Sequence, residues 1–134
     1  MKNKTRLFIA FFGFMSLAPG LRADEVPVLS VDDTEAIVNH MDREVIVEGK
    51  VHSAFWVRNQ VMLITFRERE EGFLAVVFAG NRRKLNEAFG GDMAKALGGK
   101  SVRISGTVSE YRSRPQIVID EPEQLSILDE HPDE

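Results

Sequence analysis

Three short stretches of this chain carry the residue types that can hold a flexible polyanion. Phe55, Trp56 and Arg58 form the first, Arg67 with Arg69 the second, and Tyr111, Arg112 and Arg114 the third. Single-stranded nucleic acid is held by cations that track its phosphates and by aromatic rings or guanidinium planes on which its bases stack. Each stretch also has a plainer role open to it. Large aromatics are mostly buried, so Phe55 and Trp56 are equally candidates for a core or rim position. Tyr111, flanked by Glu110 and Arg112, is expected at the surface, where its hydroxyl could instead close a hairpin. Arg67 and Arg69 are interleaved with Glu68, Glu70 and Glu71 and would pair locally to little effect. Arg82-Arg83-Lys84 is the densest basic run, but it opens a helical segment and reads as a solvated face.

Catalytic chemistry finds little to work with. His40, His52 and His131 are scattered without metal-ligand spacing, no serine sits in a nucleophile elbow, and Gly98-Gly99-Lys100 lacks the rest of a phosphate-binding loop. With no cysteine in the chain, disulfides, thiolate nucleophiles, Cys-based zinc sites and an acylated lipoprotein cysteine are all excluded. The acidic pairs Asp32-Asp33 and Asp129-Glu130 lie towards the ends, where charge runs face solvent. The expectation is a protein that binds and does not catalyse, with no cofactor and no metal.

The N-terminus predicts export. Lys2, Lys4 and Arg6 precede an uncharged apolar run from Leu7 to Leu17, which Pro19-Gly20 breaks before the small-residue site Leu21-Arg22-Ala23. That is the layout of a signal peptide cleaved after Ala23, and the apolar run falls short of the about 20 residues a bilayer span requires. The mature chain is therefore expected to be periplasmic or secreted, with no stable membrane insertion. Removing residues 1–23 takes away four basic side chains and no acidic one, leaving 13 basic against 21 acidic residues and a net charge of −8. Acidic residues dominate both ends of what remains: 24–35 and 120–134 contain no base, while 36–119 carries 13 basic and 9 acidic residues. A mildly basic body between acidic ends suits an anionic partner screened by those ends, and equally suits two solvated tails. The acidic end 129–134 could also occupy a basic groove and compete for it.

Positioning the candidate residues falls to one small domain. The 134 residues, 43% of them hydrophobic and 28% charged, suffice for one core. After an extended leader over 24–33, Asp32 or Asp33 can cap a short helix through Met41. Period-two alternation then marks a first strand, with Val45, Val47, Gly49 and Val51 on one face. Val61 to Phe66 and Phe73 to Ala79 read as the second and third, joined by a charged hairpin loop ending in Gly72. Helical segments follow, from Asn81 through Phe89 and from Asp92 through Leu97. Ser101 to Ser109 alternates again, with Gly106 in mid-strand, and Glu110 to Pro115 is a loop into a fifth strand, Gln116 to Ile119, with Leu125 to Leu128 as a continuation. Three strands, a helical connection and two strands make the element order of the five-stranded OB-fold, a mainly β Greek-key barrel, here over 34–128.

Val45-Ile46-Val47-Glu48-Gly49-Lys50-Val51 and Leu74-Ala75-Val76-Val77-Phe78 fit that order. So, above all, does Val102-Arg103-Ile104-Ser105-Gly106-Thr107-Val108 followed by Tyr111-Arg112-Ser113-Arg114-Pro115-Gln116-Ile117-Val118. Together they resemble the tRNA-anticodon-binding-like OB family of nucleic-acid-binding domains. The resemblance spans roughly residues 34–128 and implies that single-stranded DNA or RNA lies along the face of the second and third strands and the adjoining loops. Phe55, Trp56, Arg58, Arg67, Tyr111, Arg112 and Arg114 would then line a groove bordered by the loop between strands one and two and the loop between strands four and five. OB barrels use the same groove for unlike partners, so a peptide, partner protein or small ligand is the alternative occupant.

Overall fold

The computed structural model describes residues 25–68 and 71–128. The expected signal peptide, Arg69 and the acidic end 129–134 lie outside the described residues. Eight strands and three short helices follow one another as β1 (Val28–Ser30), α1 (Thr34–Val38), β2 (Glu44–Lys50), β3 (Ser53–Val57), β4 (Val61–Thr65), β5 (Leu74–Phe78), α2 (Arg82–Ala88), α3 (Met93–Leu97), β6 (Ser101–Tyr111), β7 (Arg114–Val118) and β8 (Leu125–Ile127). The strands form one mixed sheet in the order β1-β2-β6-β7-β5-β4-β3, with β8 on β6. Most neighbours are antiparallel; β1 with β2 and β5 with β7 are parallel.

The sequence pattern predicts five strands and eight are present among the described residues, for two reasons. The first strand does not end in a loop. Val51 donates its N–H to Lys100 O and His52 donates to Thr65 O, both at 2.8 Å. Across these two residues the backbone changes partner, from the β6 side to β4, and resumes as β3. Residues 53–57 are therefore strand where the sequence suggests a loop. The leader and the segment after the 3-10 turn Pro122–Gln124 supply the short strands β1 and β8, and β8 pairs with β6 instead of extending β7. The expected loop Glu110 to Pro115 also contracts. β6 runs on to Tyr111, and only Arg112 and Ser113 remain as a turn, both at positive φ (53° and 66°), the twist a tight hairpin demands.

The helices are shorter than the pattern suggests, and two are capped as expected. Asp33 accepts from Ala36 N at 3.1 Å and Asp92 from Lys95 N at 3.2 Å. Asn81 makes no cap bond; a 3-10 turn over Ala79–Asn81 leads into α2 instead.

Alternation decides the core. Val45 and Val47 of β2, Met62 and Ile64 of β4, Ala75 and Val77 of β5, and Val102, Ile104 and Val108 of β6 all point inwards and are fully buried, closed over by Leu85, Met93 and Leu97 from α2 and α3. The mid-strand glycines have specific reasons. A side chain at Gly49 would overlap Val31, which follows β1 and packs across β2; a Cβ at Gly106 would stand 2.6 Å from Ile117 Cγ2 and 3.1 Å from Gln124 Nε2. Gly49 lets the residue after β1 approach closely, and Gly106 lets β7 do so.

The β6–β7 ladder ends at Val108 and Ile117, and just beyond it one side chain links the two strands. Gln124 donates from Nε2 to Ser105 O and Val118 O, both at 3.0 Å, and accepts at Oε1 from Asp120 N (2.9 Å) and Glu121 N (3.0 Å). Every hydrogen-bonding position on that amide nitrogen is used.

Candidate functional site

Because β5 reads Leu-Ala-Val-Val-Phe, both its faces are apolar. Ala75 and Val77 enter the core, so Leu74, Val76 and Phe78 face the other way. On that outer face they join Val61 and Leu63 of β4, Arg114 and Gln116 of β7, and Tyr111 and Arg112 of the β6–β7 hairpin around an open groove of about 320 Å³. The pairings give its layout. Val61 lies opposite Phe78 and Leu63 opposite Val76, while Leu74 is level with Gln116. The groove thus runs along β5 from Phe78 to Arg114, six strand positions or roughly 20 Å. Its floor is aliphatic: Leu74 and Val76 keep only 4% exposure each, while Phe78 (49%) and Tyr111 (55%) stand up at the ends.

The seven anticipated residues divide between this groove and other places. Tyr111, Arg112 and Arg114 line it. The Arg112 guanidinium carbon lies 5.2 Å from the Tyr111 ring centroid, so cation and aromatic form one unit at the hairpin tip. Arg114 is anchored by its Nε, which donates to Gly72 O at 3.0 Å. Phe55 is directly opposite Leu63 and hence on the groove face, 38% exposed, one strand further out. Trp56, the next residue, must point to the other side; it packs against the core beneath the Arg82 guanidinium, 4.3 Å from the ring centroid. The sequence pairs Phe55 with Trp56 as loop residues, and strand geometry separates them. Arg58 sits in the β3–β4 turn at positive φ, away from the groove lining. Arg67 turns to the leader, donating to Asp32 O at 3.2 Å and standing 3.8 Å from its Oδ1. Among the described residues its partner is thus Asp32.

The basic run of α2 is likewise dispersed: Arg82 over Trp56, Arg83 towards Glu87 at 3.5 Å, and Lys84 towards Glu121 at 3.2 Å. Sequence reasoning misses Phe78, Gln116 and the aliphatic floor. The available sign is an apolar residue at every position of β5, more than one buried face requires. Among the described residues no three His, Asp or Glu side chains are grouped to hold a metal, and no helix is long and apolar enough to cross a membrane.

No protein-family model matches this chain, and no match is found among curated proteins. Among solved structures it is similar to an OBody bound to hen egg-white lysozyme, with a TM-score of 0.50 and 24% identity over 72% of this chain and 91% of that one. It is also similar to a chain assigned as an aspartyl-tRNA synthetase from Leishmania major Friedlin (TM-score 0.49, 10% identity, 86% of this chain). A third is the aspartyl-tRNA synthetase from Entamoeba histolytica (TM-score 0.46, 12% identity, 75% of this chain). The alignments span only 23% and 22% of those two synthetase chains. Together with the mixed, mainly β sheet, the likeness to the OBody is consistent with an OB-like fold.

Proposed function

We propose that this chain is an exported OB-fold binding module, without catalysis of its own, that holds single-stranded nucleic acid in the outer groove. In this reading the five strands of the barrel are β2 continued as β3, then β4, β5, β6 and β7, with β1 and β8 as additions. One observation carries it: exposed aromatic rings, Phe78 and Tyr111, stand at the two ends of an apolar groove, with the Arg112 and Arg114 guanidiniums beside Tyr111. A base stacks on Tyr111 while Arg112 and Arg114 meet the adjoining phosphates, and the aliphatic floor takes the flat faces of neighbouring bases. Phe55 extends the same face. Export rests on the basic, apolar and small-residue pattern of residues 1–23.

A peptide, partner protein or small ligand is the second reading, and two observations favour it. The floor is aliphatic, and the net charge of −8 over residues 24–134 opposes a polyanion at long range. Titrating the purified protein against labelled DNA and RNA oligonucleotides at two salt concentrations separates the two. Saturable, salt-sensitive binding supports nucleic acid; no binding at low salt refutes it and leaves the second reading. Export is tested by N-terminal sequencing of secreted or periplasmic material, where a chain starting at Asp24 is expected and one still starting at Met1 refutes it.

A further inference from the structure

Of the two guanidiniums beside Tyr111, Arg114 is the one tied to the backbone: its Nε donates to Gly72 O at 3.0 Å. A guanidinium nitrogen only donates and a carbonyl only accepts, so the bond has one polarity and fixes the direction of the side chain. Among the described residues neither Nη of Arg114 has a protein partner, and no carboxylate pairs with it. The parallel register brings the two residues together. Leu74 is level with Gln116, so Gly72 and Arg114, each two positions earlier, stand side by side.

Gly72 is itself held in place. It sits at φ 76°, and a Cβ there would stand 3.2 Å from Oγ1 of Thr34, the first residue of α1, and 3.8 Å from Arg67 Nε. Its α-carbon therefore packs against both. Arg67 reaches on to the leader, donating from Nη2 to Asp32 O at 3.2 Å. The leader is anchored in turn: Val31 is 4% exposed, donates its N–H to Glu48 O at 2.9 Å and lies against Gly49. Contacts thus run without a break from Val31 and Asp32 through Arg67 and Gly72 to Arg114.

Resting on the nucleic-acid reading above, we propose that Arg67 and Gly72 are positioning residues of the groove, which transmit the fixed placement of the leader to the Arg114 guanidinium. Arg67 itself touches no phosphate. An arginine gripping a phosphate loses rotamer freedom, and a side chain already tethered at Nε has lost much of it before the ligand arrives. The acidic leader is then part of the frame of the site.

Affinity and its salt slope are read by fluorescence anisotropy on a labelled dT oligomer of about 12 nucleotides, a length within the usual span of one such site. Solvent exchange of the Arg114 Nε–H is read by 15N NMR, with its signal assigned from its loss in Arg114→Gln. Arg67→Met keeps the aliphatic stem, and Gly72→Ala sets a Cβ against Thr34 without changing any charge. Each is expected to weaken binding by about 5-fold, the effect of a lost hydrogen bond to a charged group, and to speed exchange of the Nε–H. Gly72→Ala should also flatten the salt slope towards that of Arg114→Gln, by up to about 0.7, which a neutral substitution with a merely structural effect would not do. In an Arg114→Gln background neither change is expected to cost more than about 1.5-fold, because the residue it positions is gone. Should Gly72→Ala unfold the protein, Arg67→Met decides alone. The proposal is overturned if Arg67→Met costs the same in both backgrounds, which would make Arg67 a phosphate contact in its own right, or if affinity and Nε–H exchange match wild type. A wild-type protein that binds no oligonucleotide overturns the nucleic-acid reading, and the exchange measurement still decides whether Arg67 and Gly72 hold Arg114.

Discussion

Gln124→Ala removes four hydrogen bonds from the seam between β6 and β7. Two of the groups released, the N–H of Asp120 and of Glu121, belong to exposed residues, and water replaces the missing acceptor at little cost. The other two, Ser105 O and Val118 O, belong to half-buried residues. A fully buried carbonyl left without a donor costs about 1–3 kcal/mol. Discounting by about half for partial exposure and counting both gives a loss of about 1–3 kcal/mol from a stability of about 5–15 kcal/mol. For a domain of this size that is a fall in Tm of roughly 5–20 °C, read by circular dichroism on heating. Gln124→Glu keeps the acceptors but sets a carboxylate oxygen against two carbonyls, and is expected to cost at least as much. If both variants melt within about 2 °C of wild type, the seam is held by the flanking ladders and not by this amide. The outcome bears on function, because β7 carries Arg114 and Gln116 into the groove.

Val47→Asp and Ile104→Asp each bury a carboxylate at a fully enclosed position and should unfold the domain at a cost of several kcal/mol; unchanged Tm values would show the strand faces to be misassigned. Tyr111→Ala should cost about 1–3 kcal/mol of oligonucleotide binding with little change in Tm, since the ring is largely exposed; calorimetric titration beside a thermal melt compares the two, and unaltered affinity would remove Tyr111 from the site. Replacing Arg112 and Arg114 together by Gln should flatten the slope of log affinity against log salt by roughly 0.7 for each phosphate left without its cation; an identical slope would place the phosphates elsewhere. Part of any loss of Tm in that double variant belongs to the bond between Arg114 and Gly72, so Arg112→Gln alone is the cleaner salt measurement.

Local patterns in the sequence are enough to mark much of the core and the order of β2, β4, β5, α2, α3, β6 and β7, but not β1, β3 or β8. Val45 and Val47 alternate with other residues along β2, as do Val102, Ile104 and Val108 along β6, and the pleat sends each set to one side whatever lies beyond it. Asp33 and Asp92 cap their helices for an equally local reason, a carboxylate within reach of the N–H three residues on. The Tyr111 hairpin is legible too, although the expected loop Glu110 to Pro115 shrinks to the pair Arg112-Ser113, because a turn type depends on how far both strands keep their register. Tertiary structure alone decides what shares the groove. Phe55 and Trp56 are adjacent in sequence, yet continuation of the first strand past His52 puts one on the outer face and the other against the core. Arg67 meets Asp32 because the leader folds back beside β2, a long-range placement no local charge pattern encodes. Phe78 and Gln116 join the site through the parallel pairing of β5 with β7, across roughly 40 residues of chain. Periodicity fixes which way a side chain points; only the closure of distant strands fixes what it faces.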